Sequence, residues 1–571
     1  MKVKVDDKEL EFDPNKTLLI NLKEHGFRIP HLCYQEGLKP EARCRLCVVE
    51  VKGKLITSCS NYPKEGMEIL TESEKVKRAR KINTELLMPE HMDKCFIENK
   101  YHNLCRIISE MGLREVRFDP KKKYKADLGA AVVRDDNLCI NCGRCVQVCG
   151  EVQATWAIDF AGRAHHEHVT PYFEKNLPDM YCTKCGQCIA ACPVGAIDER
   201  EHLKEVLGVL KDKKKHVVVQ TAPSIRASLG EEFDLPAGTL VTGKMVAALR
   251  RCGFDKVFDT NLGADMTIME EASEFIERVK KGGPFPMITT CCPAWIKFME
   301  HFYHNLITNH NMSTCKSPHE MLGVLTKEYY AKKEKIPQKD IVVVSVMPCT
   351  AKKFESTRPE LKSGVDYVLT TREAAKMIRY AQKSKISGTT GGGFNIDFKD
   401  LPDEDFDPAL GISTGAAAIF GATGGVMEAA LRTAYETATG LPLTKIEFEQ
   451  LRGAEGIKEG TIIINGNEIR FAAANGHSNA RKLLAKKEKY HFIEIMACPG
   501  GCIGGGGQPI PSTKANIQAR MNAIYQEDAR LPLRKSHENP IVQKIYKEFL
   551  GKPLSKKAEK LLHTKYFKRK L

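Results

Sequence analysis

The pattern CINCGRCVQVC at residues 139–149 recurs as CTKCGQCIAACP at residues 182–193. Both runs follow the spacing CxxCxxCxxxC, which predicts an internal repeat within residues 126–208. The N-terminal sequence MKVKVDDKELEF alternates apolar and polar residues and contains no signal-peptide core. Because the cytosol keeps thiols reduced, the 21 cysteines of this 571-residue chain are more typical of metal ligands than of disulfides, and a cytoplasmic protein is expected.

The repeat is typical of two [4Fe-4S] clusters that exchange ligands. Each CxxCxxC loop surrounds three irons of one cubane, and the fourth ligand comes from the other run. The first predicted ligand set is Cys139, Cys142, Cys145 and Cys192. The second predicted set is Cys182, Cys185, Cys188 and Cys149. This segment resembles a bacterial two-cluster ferredoxin, apart from Gly150, which replaces the proline that usually follows the first run.

Residues 1–75 are predicted to form a small β-rich domain with a further cluster. Strand-like runs occur at residues 3–5, 46–51 and 68–70. The candidate ligands are Cys33, Cys44, Cys47 and Cys59. Their close pair, RCRLC, lies between more distant partners, as in plant-type [2Fe-2S] ferredoxins. A zinc site is the weaker alternative.

The residues beyond the repeat contain four apolar runs that predict buried strands of an α/β fold. The runs are HVVVQTAPS, FPMITTCCP, IVVVSVMPC and HFIEIMACPGGC, and each ends in a polar or cysteine-bearing turn. In open α/β sheets the ligand site lies beyond the carboxyl ends of the strands. We therefore expect the four turns to converge in space.

Three segments of this region carry family motifs: TTCCPAW (289–295), MPCTAKKFE (347–355) and EIMACPGGCIGGGGQP (494–509). Together they resemble the signature motifs of [FeFe]-hydrogenases, and the resemblance covers almost the whole chain. It implies reversible interconversion of H2 with protons and electrons at an H-cluster. The electrons would pass through the iron–sulfur clusters to ferredoxin or a similar carrier.

The resemblance also implies a multidomain α+β and α/β fold. Four domains are expected: a β-grasp [2Fe-2S] domain (1–75), a small helical domain (76–125), a two-cluster ferredoxin domain (126–208) and a two-lobed α/β H-cluster domain (209–571).

By motif position, four cysteines should hold the [4Fe-4S] part of the H-cluster: Cys292, Cys349, Cys498 and Cys502. Cys502 should also bridge to a two-iron subsite that carries CO, cyanide and a bridging dithiolate. The resemblance makes Lys352 a donor to cyanide. The other residues expected beside the cofactor are Ala222, Pro223, Ser224, Met347, Met496, Ser317 and His319. Glycines 500–507 would let the backbone approach the cluster closely.

A proton path is implied as well, from Cys291 through Glu271, Ser313, Glu274 and Arg278 in that order. The two glutamates and the arginine fall at i, i+3 and i+7 on one face of a predicted helix. Cys291 precedes the predicted helix PAWIKFMEHFY, in which proline suits the first turn. The dipole of this helix is expected to favour a thiolate at Cys291.

Two residues depart from the family pattern near the expected site. Related hydrogenases more often place Ala and Gln where this chain has Cys315 and His319, and both side chains are expected to line the site. Cys315 is interpreted as a packed apolar thiol. The alternative is an effect on oxygen reactivity or on the redox poise of the cluster.

A third departure lies in HMDKCFIENKYHNLC, residues 91–105. His91 and Cys95 match the ligands of a His-ligated [4Fe-4S] cluster in related proteins, but Glu98 occupies the second cysteine position. Cys105 falls one residue late. Either Glu98 or His102 completes an unusual cluster, or the cluster is lost.

The formal charge of +15 is spread over short lysine-rich pieces, without a nucleic-acid motif or an 18-residue apolar run. Neither nucleic acid nor a membrane is an expected partner. The expected partners are an acidic ferredoxin or similar electron carrier and hydrogenase maturation proteins. Three alternatives remain: a subunit of an NAD-linked bifurcating complex, a hydrogen sensor, which usually lacks the counterpart of Cys291, and an iron–sulfur assembly protein, which lacks the diiron subsite.

Overall fold

The computed structural model of the chain describes residues 1–89, 91, 103–118, 127–175, 180–383, 396–454 and 456–569. Two compact units are present. The first comprises Met1–Glu151, Trp156–Met180 and Ala191–Asp198. The second comprises Val152–Thr155, Tyr181–Ala190 and Glu199–Leu571.

The first unit begins with a five-stranded sheet in the order β2-β1-β5-β3-β4. Its strands are β1 (Lys2–Val5), β2 (Lys8–Glu11), β3 (Val48–Val51), β4 (Lys54–Thr57) and β5 (Met67–Leu70). Strand β1 pairs antiparallel with β2 and parallel with β5. Helix α1 (Leu18–Glu24) starts at Thr17, whose hydroxyl accepts from the Ile20 backbone N–H. Leu18 and Leu22 of α1 pack with Val3 and Val5 in one apolar core.

The rest of the first unit contains short elements. They are α2 (Glu74–Glu85), α3 (Asn103–Glu110), β6 (Asp127–Leu128), β7 (Val132–Arg134), α4 (Arg144–Gln147), β8 (Ile158–Ala161) and β9 (His168–Pro171). Within the predicted helical domain (76–125), the described residues contain most of α2 and all of α3, and residues 90, 92–102 and 119–126 lie outside the described part of the chain. Helix α5 (Gln187–Ala191) and strand β10 (Ile197–Glu199) run across boundaries between the two units along the chain.

The second unit has two four-stranded sheets. The first, in the order β12-β11-β14-β15, is entirely parallel and comprises β11 (His216–Thr221), β12 (Lys256–Asp259), β14 (Ile341–Met347) and β15 (Tyr367–Thr370). The second has the order β13-β18-β17-β16 and comprises β13 (Met287–Ile288), β16 (Ile457–Ile464), β17 (Asn467–Asn475) and β18 (Phe492–Met496). Strands β13, β18 and β17 are parallel, whereas β16 is antiparallel to β17.

Helices of the second unit cover these sheets. They are α6 (Leu203–Leu210), α7 (Thr242–Arg251), α8 (Thr260–Lys281), α9 (Pro293–Phe302), α10 (His304–Thr308), α11 (Pro318–Leu325), α12 (Ala331–Glu334), α13 (Ala351–Glu355), α14 (Thr371–Lys383), α15 (Gly415–Ala418), α16 (Gly425–Thr439), α17 (His477–Leu484), α18 (Lys514–Arg530), α19 (Pro540–Ile545) and α20 (Lys556–Leu562). None of the helices in the described ranges is long and apolar enough to cross a bilayer.

All four apolar runs predicted as strands form strands, and every residue of β14 and β18 is buried. They belong to two sheets rather than one, because β11 and β14 pair in the first sheet and β13 and β18 pair in the second. Periodicity reports burial and not the pairing partner, so this division was beyond the sequence pattern.

Candidate functional site

A cavity in the second unit lies where β11, β13, β14 and β18 end. The predicted convergence of the four turns is therefore present in the fold. Its lining includes Ala222, Pro223, Ser224, Cys291, Cys292, His319, Met347, Cys349, Lys352, Met496, Cys498 and Cys502. The predicted residues Ser317, Glu271, Ser313, Glu274 and Arg278 do not line it.

Each cavity residue is held by a rigid element. Cys292 is the N-cap of α9, with Pro293 at the first helical position, as the sequence predicted. The turn after β14 carries Cys349 just before α13. Ala222 precedes a short 3-10 turn over Pro223–Ala227, which fixes Ser224. Side chains supported in this way are suited to hold a large cofactor in one orientation.

Four cysteines from three separate segments surround the cavity. Cys292, Cys349 and Cys498 are buried, while Cys502 is partly exposed. The Cys292 sulfur accepts from the Ala497 backbone N–H at 3.4 Å. Burial raises the pKa of the Cys292 and Cys498 thiols and raises that of Cys349 to about 12. A buried thiol loses its proton when a nearby cation stabilises the thiolate. The four cysteines therefore fit the ligands of a metal cluster.

Glycines surround the cysteines where no side chain fits. A Cβ at Gly505 would lie 2.1 Å from the Pro348 carbonyl oxygen. A Cβ at Gly501, where φ is +102°, would lie 2.6 Å from the Thr423 nitrogen. The glycine-rich run therefore packs backbone against backbone beside Cys502, in line with the close approach predicted for residues 500–507.

Ser224 contributes a hydroxyl to an otherwise apolar part of the cavity wall. It is fully buried, and its Oγ has no hydrogen-bond partner within the described ranges. A buried hydroxyl without a partner is costly, so this group fits an acceptor on a bound cofactor. The residues present thus fit the H-cluster that the sequence implied.

Lys352 lies on the cavity wall and is almost fully buried. Its Nζ donates to Glu355 Oε2 at 2.7 Å and to the Cys291 carbonyl oxygen at 3.3 Å. Burial opposes the charged form, but the Glu355 carboxylate outweighs it and raises the pKa of Lys352. The lysine therefore presents a positive charge to the cavity, which suits an anionic ligand.

His319 lines the cavity, whereas Ser317 does not line it and contacts Glu355 instead. Nε2 of His319 lies 2.7 Å from Glu355 Oε2, and the Ser317 hydroxyl donates to the same oxygen at 3.0 Å. Burial disfavours the imidazolium, but the Glu320 and Glu355 carboxylates raise the pKa of His319 above its usual value. Glu355 and Glu320 are thus site residues that sequence reasoning missed. The only signal for Glu355 was its place at the end of MPCTAKKFE.

A row of polar side chains leads from α8 to a neighbouring loop. The Ser313 hydroxyl donates to Glu274 Oε2 at 3.1 Å, and Arg278 donates to Glu274 Oε1 at 2.6 Å. Arg278 also donates to the Met312 carbonyl oxygen at 2.8 Å. Glu274 and Arg278 of the predicted helical face are therefore in direct contact, and Ser313 of the neighbouring loop contacts Glu274.

Glu271 belongs to the same face of α8 and is completely buried. Burial, with a contribution from the charge of Glu274, raises the pKa of its carboxyl to about 8. Within the described part of the chain, neither carboxyl oxygen has a hydrogen-bond partner. Glu271 is therefore a group that holds a proton at neutral pH.

The thiolate expected at Cys291 is wrong for this structure. Burial raises the pKa of this thiol well above its usual value, and the charge of Glu271 raises it further. The helix dipole is outweighed because the side chain is desolvated and faces a carboxyl group. Cys291 is thus a protonated thiol between the cavity and Glu271.

Cys315 does not line the cavity, which corrects the second expectation from the sequence. Its side chain is completely buried in an apolar cluster with Met321 and Leu322. The interpretation as a packed thiol fits this position. Burial and the carboxylates of Glu271 and Glu274 raise the pKa of Cys315 well above its usual value. The side chain therefore faces the polar row and not the cofactor.

Comparison with known families gives four matches along the chain. A model described as iron only hydrogenase large subunit, C-terminal domain, matches residues 215–506, just over half of the chain. The chain belongs to the iron-only hydrogenase family. The iron hydrogenase small subunit model matches residues 514–569 of this hydrogenase. The 2Fe-2S iron-sulfur cluster binding domain and the 4Fe-4S dicluster domain match residues 1–74 and 138–196.

Two curated proteins are similar to the hydrogenase over nearly its full length. It is 46% identical to the NADP-reducing hydrogenase subunit HndD of Solidesulfovibrio fructosivorans, over 100% of this chain and 99% of that protein. It is 41% identical to iron hydrogenase 1 of Clostridium pasteurianum, over 97% of this chain and 98% of that protein. Among solved structures, apo [FeFe]-hydrogenase HydA1 from Chlamydomonas reinhardtii matches with a TM-score of 0.56 and 40% identity, over 64% of this chain and 99% of that chain.

The ferredoxin-like cysteines of the hydrogenase fall into separate groups. In the first unit, one cavity is lined by all four cysteines of the first predicted [4Fe-4S] set, Cys139, Cys142, Cys145 and Cys192. The N-terminal set is also close together, because Cys33 hydrogen-bonds Cys44 and Cys59, and Cys47 hydrogen-bonds Cys59. Cys33 and Cys44 share an apolar cluster with Cys139 and Cys142.

The second predicted [4Fe-4S] set is divided between the two units. Cys149 belongs to the first unit, where its sulfur accepts from the Ala157 N–H at 3.3 Å. Cys182, Cys185 and Cys188 belong to the second unit. A Cβ at Gly506 would lie 2.3 Å from the Cys185 carbonyl oxygen, so this loop packs directly on the glycine-rich run after Cys502.

The atypical region is only partly described. His91 is buried, and its Nε2 lies 3.0 Å from the carbonyl oxygen of Leu138, the residue before Cys139. Cys105 is buried in the apolar cluster that also contains Cys139. Cys95, Glu98 and His102 lie outside the described residues.

Proposed function

We propose that this hydrogenase interconverts H2 with protons and electrons at the cavity formed by the four strand ends. The observation that carries the proposal is the convergence of Cys292, Cys349, Cys498 and Cys502 on one cavity with Lys352 on its wall. When bound there, the H-cluster supplies the open iron position at which H2 is cleaved heterolytically. We assign the four cysteines to its [4Fe-4S] part and Cys502 also to the bridge.

The protein binds and orients the diiron part of the cofactor. Lys352 donates to an anionic ligand and keeps its charge because Glu355 stabilises it. Ser224, with Ala222 and Pro223, provides a hydroxyl against one end of the cofactor, and Met347 and Met496 fill the space around it. His319 shares this wall, while Ser317 positions Glu355 from behind. The apolar lining excludes water, which strengthens these interactions.

Protons move along Cys291, Glu271, Ser313, Glu274 and Arg278. Cys291 is the acid and base nearest the cavity, and Glu271 exchanges its proton with that thiol. A carboxyl with a pKa of about 8 suits this task, because it gains and loses a proton near neutral pH. Ser313 and Glu274 are already within hydrogen-bond distance of each other.

Electrons pass through iron–sulfur clusters, for which we propose one [2Fe-2S] and two [4Fe-4S] clusters beside the H-cluster. The loop that carries Cys185 is the entry to the cavity, because it packs on the glycine-rich run next to Cys502. A further cluster at His91, Cys95 and Cys105 stays an open alternative. We also propose four domains with boundaries at residues 75, 125 and 208. The N-terminal domain has a β-grasp fold, and the catalytic domain has two lobes.

An acidic ferredoxin or a similar carrier is the proposed electron partner, and dedicated maturation proteins supply the cofactor. A second candidate is membership of an NAD(P)-linked complex. It is favoured by 46% identity to a protein described as a subunit of an NADP-reducing hydrogenase. Co-purification of the native protein with a flavoprotein would support this candidate.

The test is infrared spectroscopy of the matured protein in the CO and cyanide region, together with H2 production from a reduced dye. We expect both the bands and H2. Bands without H2 production would favour a sensor, and the absence of both would favour an iron–sulfur assembly protein.

A further inference from the structure

Three side chains with different donor atoms meet beside the polar row. Glu274 offers a carboxylate oxygen, Cys315 a sulfur and His563 a ring nitrogen, and one such atom of each lies within 4.8 Å of the other two. The backbone holds two of them in register, because Cys315 and His563 form an isolated antiparallel bridge. The Thr564 N–H donates to the Thr314 carbonyl oxygen at 2.8 Å beside it.

His563 is arranged like a histidine that binds a metal. Its Nε2 lies 3.1 Å from Glu270 Oε2, and Glu270 is completely buried. Metal-binding histidines usually donate their second ring N–H to such a carboxylate, which fixes the tautomer. With the proton on Nε2, the lone pair is on Nδ1, which lies 2.7 Å from the exposed Thr314 hydroxyl. A cation can replace that hydroxyl as the partner of Nδ1.

The charges around Cys315 also favour a cation. Burial and the carboxylates of Glu271, Glu274 and Glu270 raise the pKa of its thiol, whereas a divalent metal would stabilise the thiolate. Of these three carboxylates, Glu274 pairs with a permanently charged side chain, because Arg278 donates to its Oε1. The other oxygen, Oε2, now accepts from Ser313 and from the Thr314 N–H at 3.2 Å, and it is the one available for exchange.

Two other groups of possible ligands in the described ranges differ from this one. His319, Glu320 and Glu355 lie together, but Lys352 already pairs with Glu355. Glu436, His537 and Glu538 lie together, but Lys535 pairs with both glutamates. Of the three groups, the one at Glu274 alone contains a sulfur donor. One sulfur, one nitrogen and one oxygen suit Zn²⁺ and not Mg²⁺ or Ca²⁺.

We infer that Glu274, Cys315 and His563 form a zinc site, and that Zn²⁺ bound there inhibits the hydrogenase by withdrawing the Glu274 carboxylate from proton transfer. Entry is from an open depression whose lining contains Glu274, His563 and Glu559 and also four lysines, Lys316, Lys362, Lys560 and Lys565. The inhibitory part rests on the proposed proton path, while zinc binding itself does not.

The test uses the matured full-length protein without oxygen. The protein is incubated with Zn²⁺, freed of excess metal and examined by metal analysis and zinc K-edge X-ray absorption. We expect one zinc per chain with a single sulfur ligand. H2 production falls as zinc is added, recovers with a chelator, and leaves the infrared bands of the cofactor unchanged.

Two variants distinguish zinc binding at Cys315 from zinc binding at other cysteines. Cys315→Ala removes the sulfur ligand, so the zinc concentration for half-inhibition should rise by about 10- to 100-fold and the sulfur ligand should disappear from the spectrum. Cys252→Ala is the matched control, because Cys252 is also a buried free cysteine, and burial alone raises the pKa of its thiol. This variant should respond to zinc as the wild type does.

Zinc bound without a sulfur ligand, or equal half-inhibition in both variants, would overturn the site. Zinc bound through one sulfur with full H2 production would overturn the inhibitory role. If no sample produced H2 even before zinc was added, the proposed function would have failed instead. The X-ray absorption would still decide whether the site exists.

Discussion

His319 and Lys352 bind the same carboxylate oxygen, Oε2 of Glu355, each at 2.7 Å. Two basic groups thus depend on one buried acid. Although burial opposes ionisation, Lys352 and His319 lower the pKa of Glu355 to about 2. The wall of the cavity therefore carries two basic side chains and one carboxylate in direct contact. Removing any one of the three changes the net charge of this group.

Glu355→Gln should destabilise the protein strongly. It leaves Lys352 without its carboxylate and His319 with Glu320 alone, and breaking a buried pair costs about 3–5 kcal/mol in the free energy of unfolding. The matched control is Glu277→Gln, which breaks the exposed pair between Glu277 and Lys281 and should cost about 1 kcal/mol or less. Thermal unfolding of both variants checks this difference, and equal losses would contradict it.

His319→Gln should change how stability depends on pH. The folded-state pKa of His319 is raised, so its contribution is complete below about pH 6.5, the ordinary pKa, and is lost as the pH rises through the folded value. The variant lacks this loss of stability above pH 6.5. Its cofactor should also show lower CO and cyanide stretching frequencies, because one positive charge is removed from the wall. Identical pH profiles and bands in the two proteins would rule this out.

Cys291→Ala should abolish nearly all turnover and leave the cofactor in place. The thiol lines the cavity and lies close enough to Glu271 for the charge of that carboxyl to raise its pKa. Loss of a positioned acid–base group lowers rates by about 10²- to 10⁴-fold. Steady-state H2 production measures the loss, while infrared bands and iron content serve as the control. Full activity in this variant would remove Cys291 from the path.

Glu271→Gln should lose activity and gain stability. The pKa of Glu271 is raised to about 8, so the folded protein is disfavoured relative to an ordinary carboxyl as the pH rises from about 4.5 to 8. The variant has no charge to desolvate, and its advantage in the free energy of unfolding should grow over that interval to about 5 kcal/mol and then level off. Thermal unfolding at several pH values measures the gain. If the difference in the free energy of unfolding between the variant and the wild type were the same at pH 8 as at pH 4.5, burial would not raise the pKa of Glu271.

Gly506→Ala should slow electron entry without removing the cofactor. The new Cβ would meet the Cys185 carbonyl oxygen at 2.3 Å, which forces the cluster loop away from the glycine-rich run. H2 production from a reduced carrier should fall, while hydrogen–deuterium exchange, which needs no external electrons, should persist. Gly208→Ala in α6 is the control, since a Cβ there meets nothing within 4 Å. Equal rates in both variants would place the electron entry elsewhere.

The sequence motifs predicted the cavity residues because strand ends, cysteine spacing and the glycine-rich run each leave a local signal. Cys292, Cys349 and Cys498 each follow an apolar strand, and the structure brings these strand ends together. The division of the strands into two sheets left no such signal. Pairing partners depend on contacts between distant segments that one sequence does not reveal.

Electrostatic predictions were less successful than positional ones. The thiolate expected at Cys291 failed because burial and Glu271 outweigh the helix dipole, and neither is visible in local sequence. Glu355 was overlooked since its importance comes from His319, which lies 36 residues earlier in the chain. Cys315 was expected in the cavity wall from the family pattern, yet its side chain lies near the glutamates of α8.

The glycine-rich run after Cys502 packs against residues that come later in the sequence and are therefore translated later. Ile503 packs against Met521 and Ile524 of α18 in one apolar cluster. The binding site therefore has no complete wall until α18 has left the ribosome and folded. A cofactor that bound before that point would lack the support of this part of the wall.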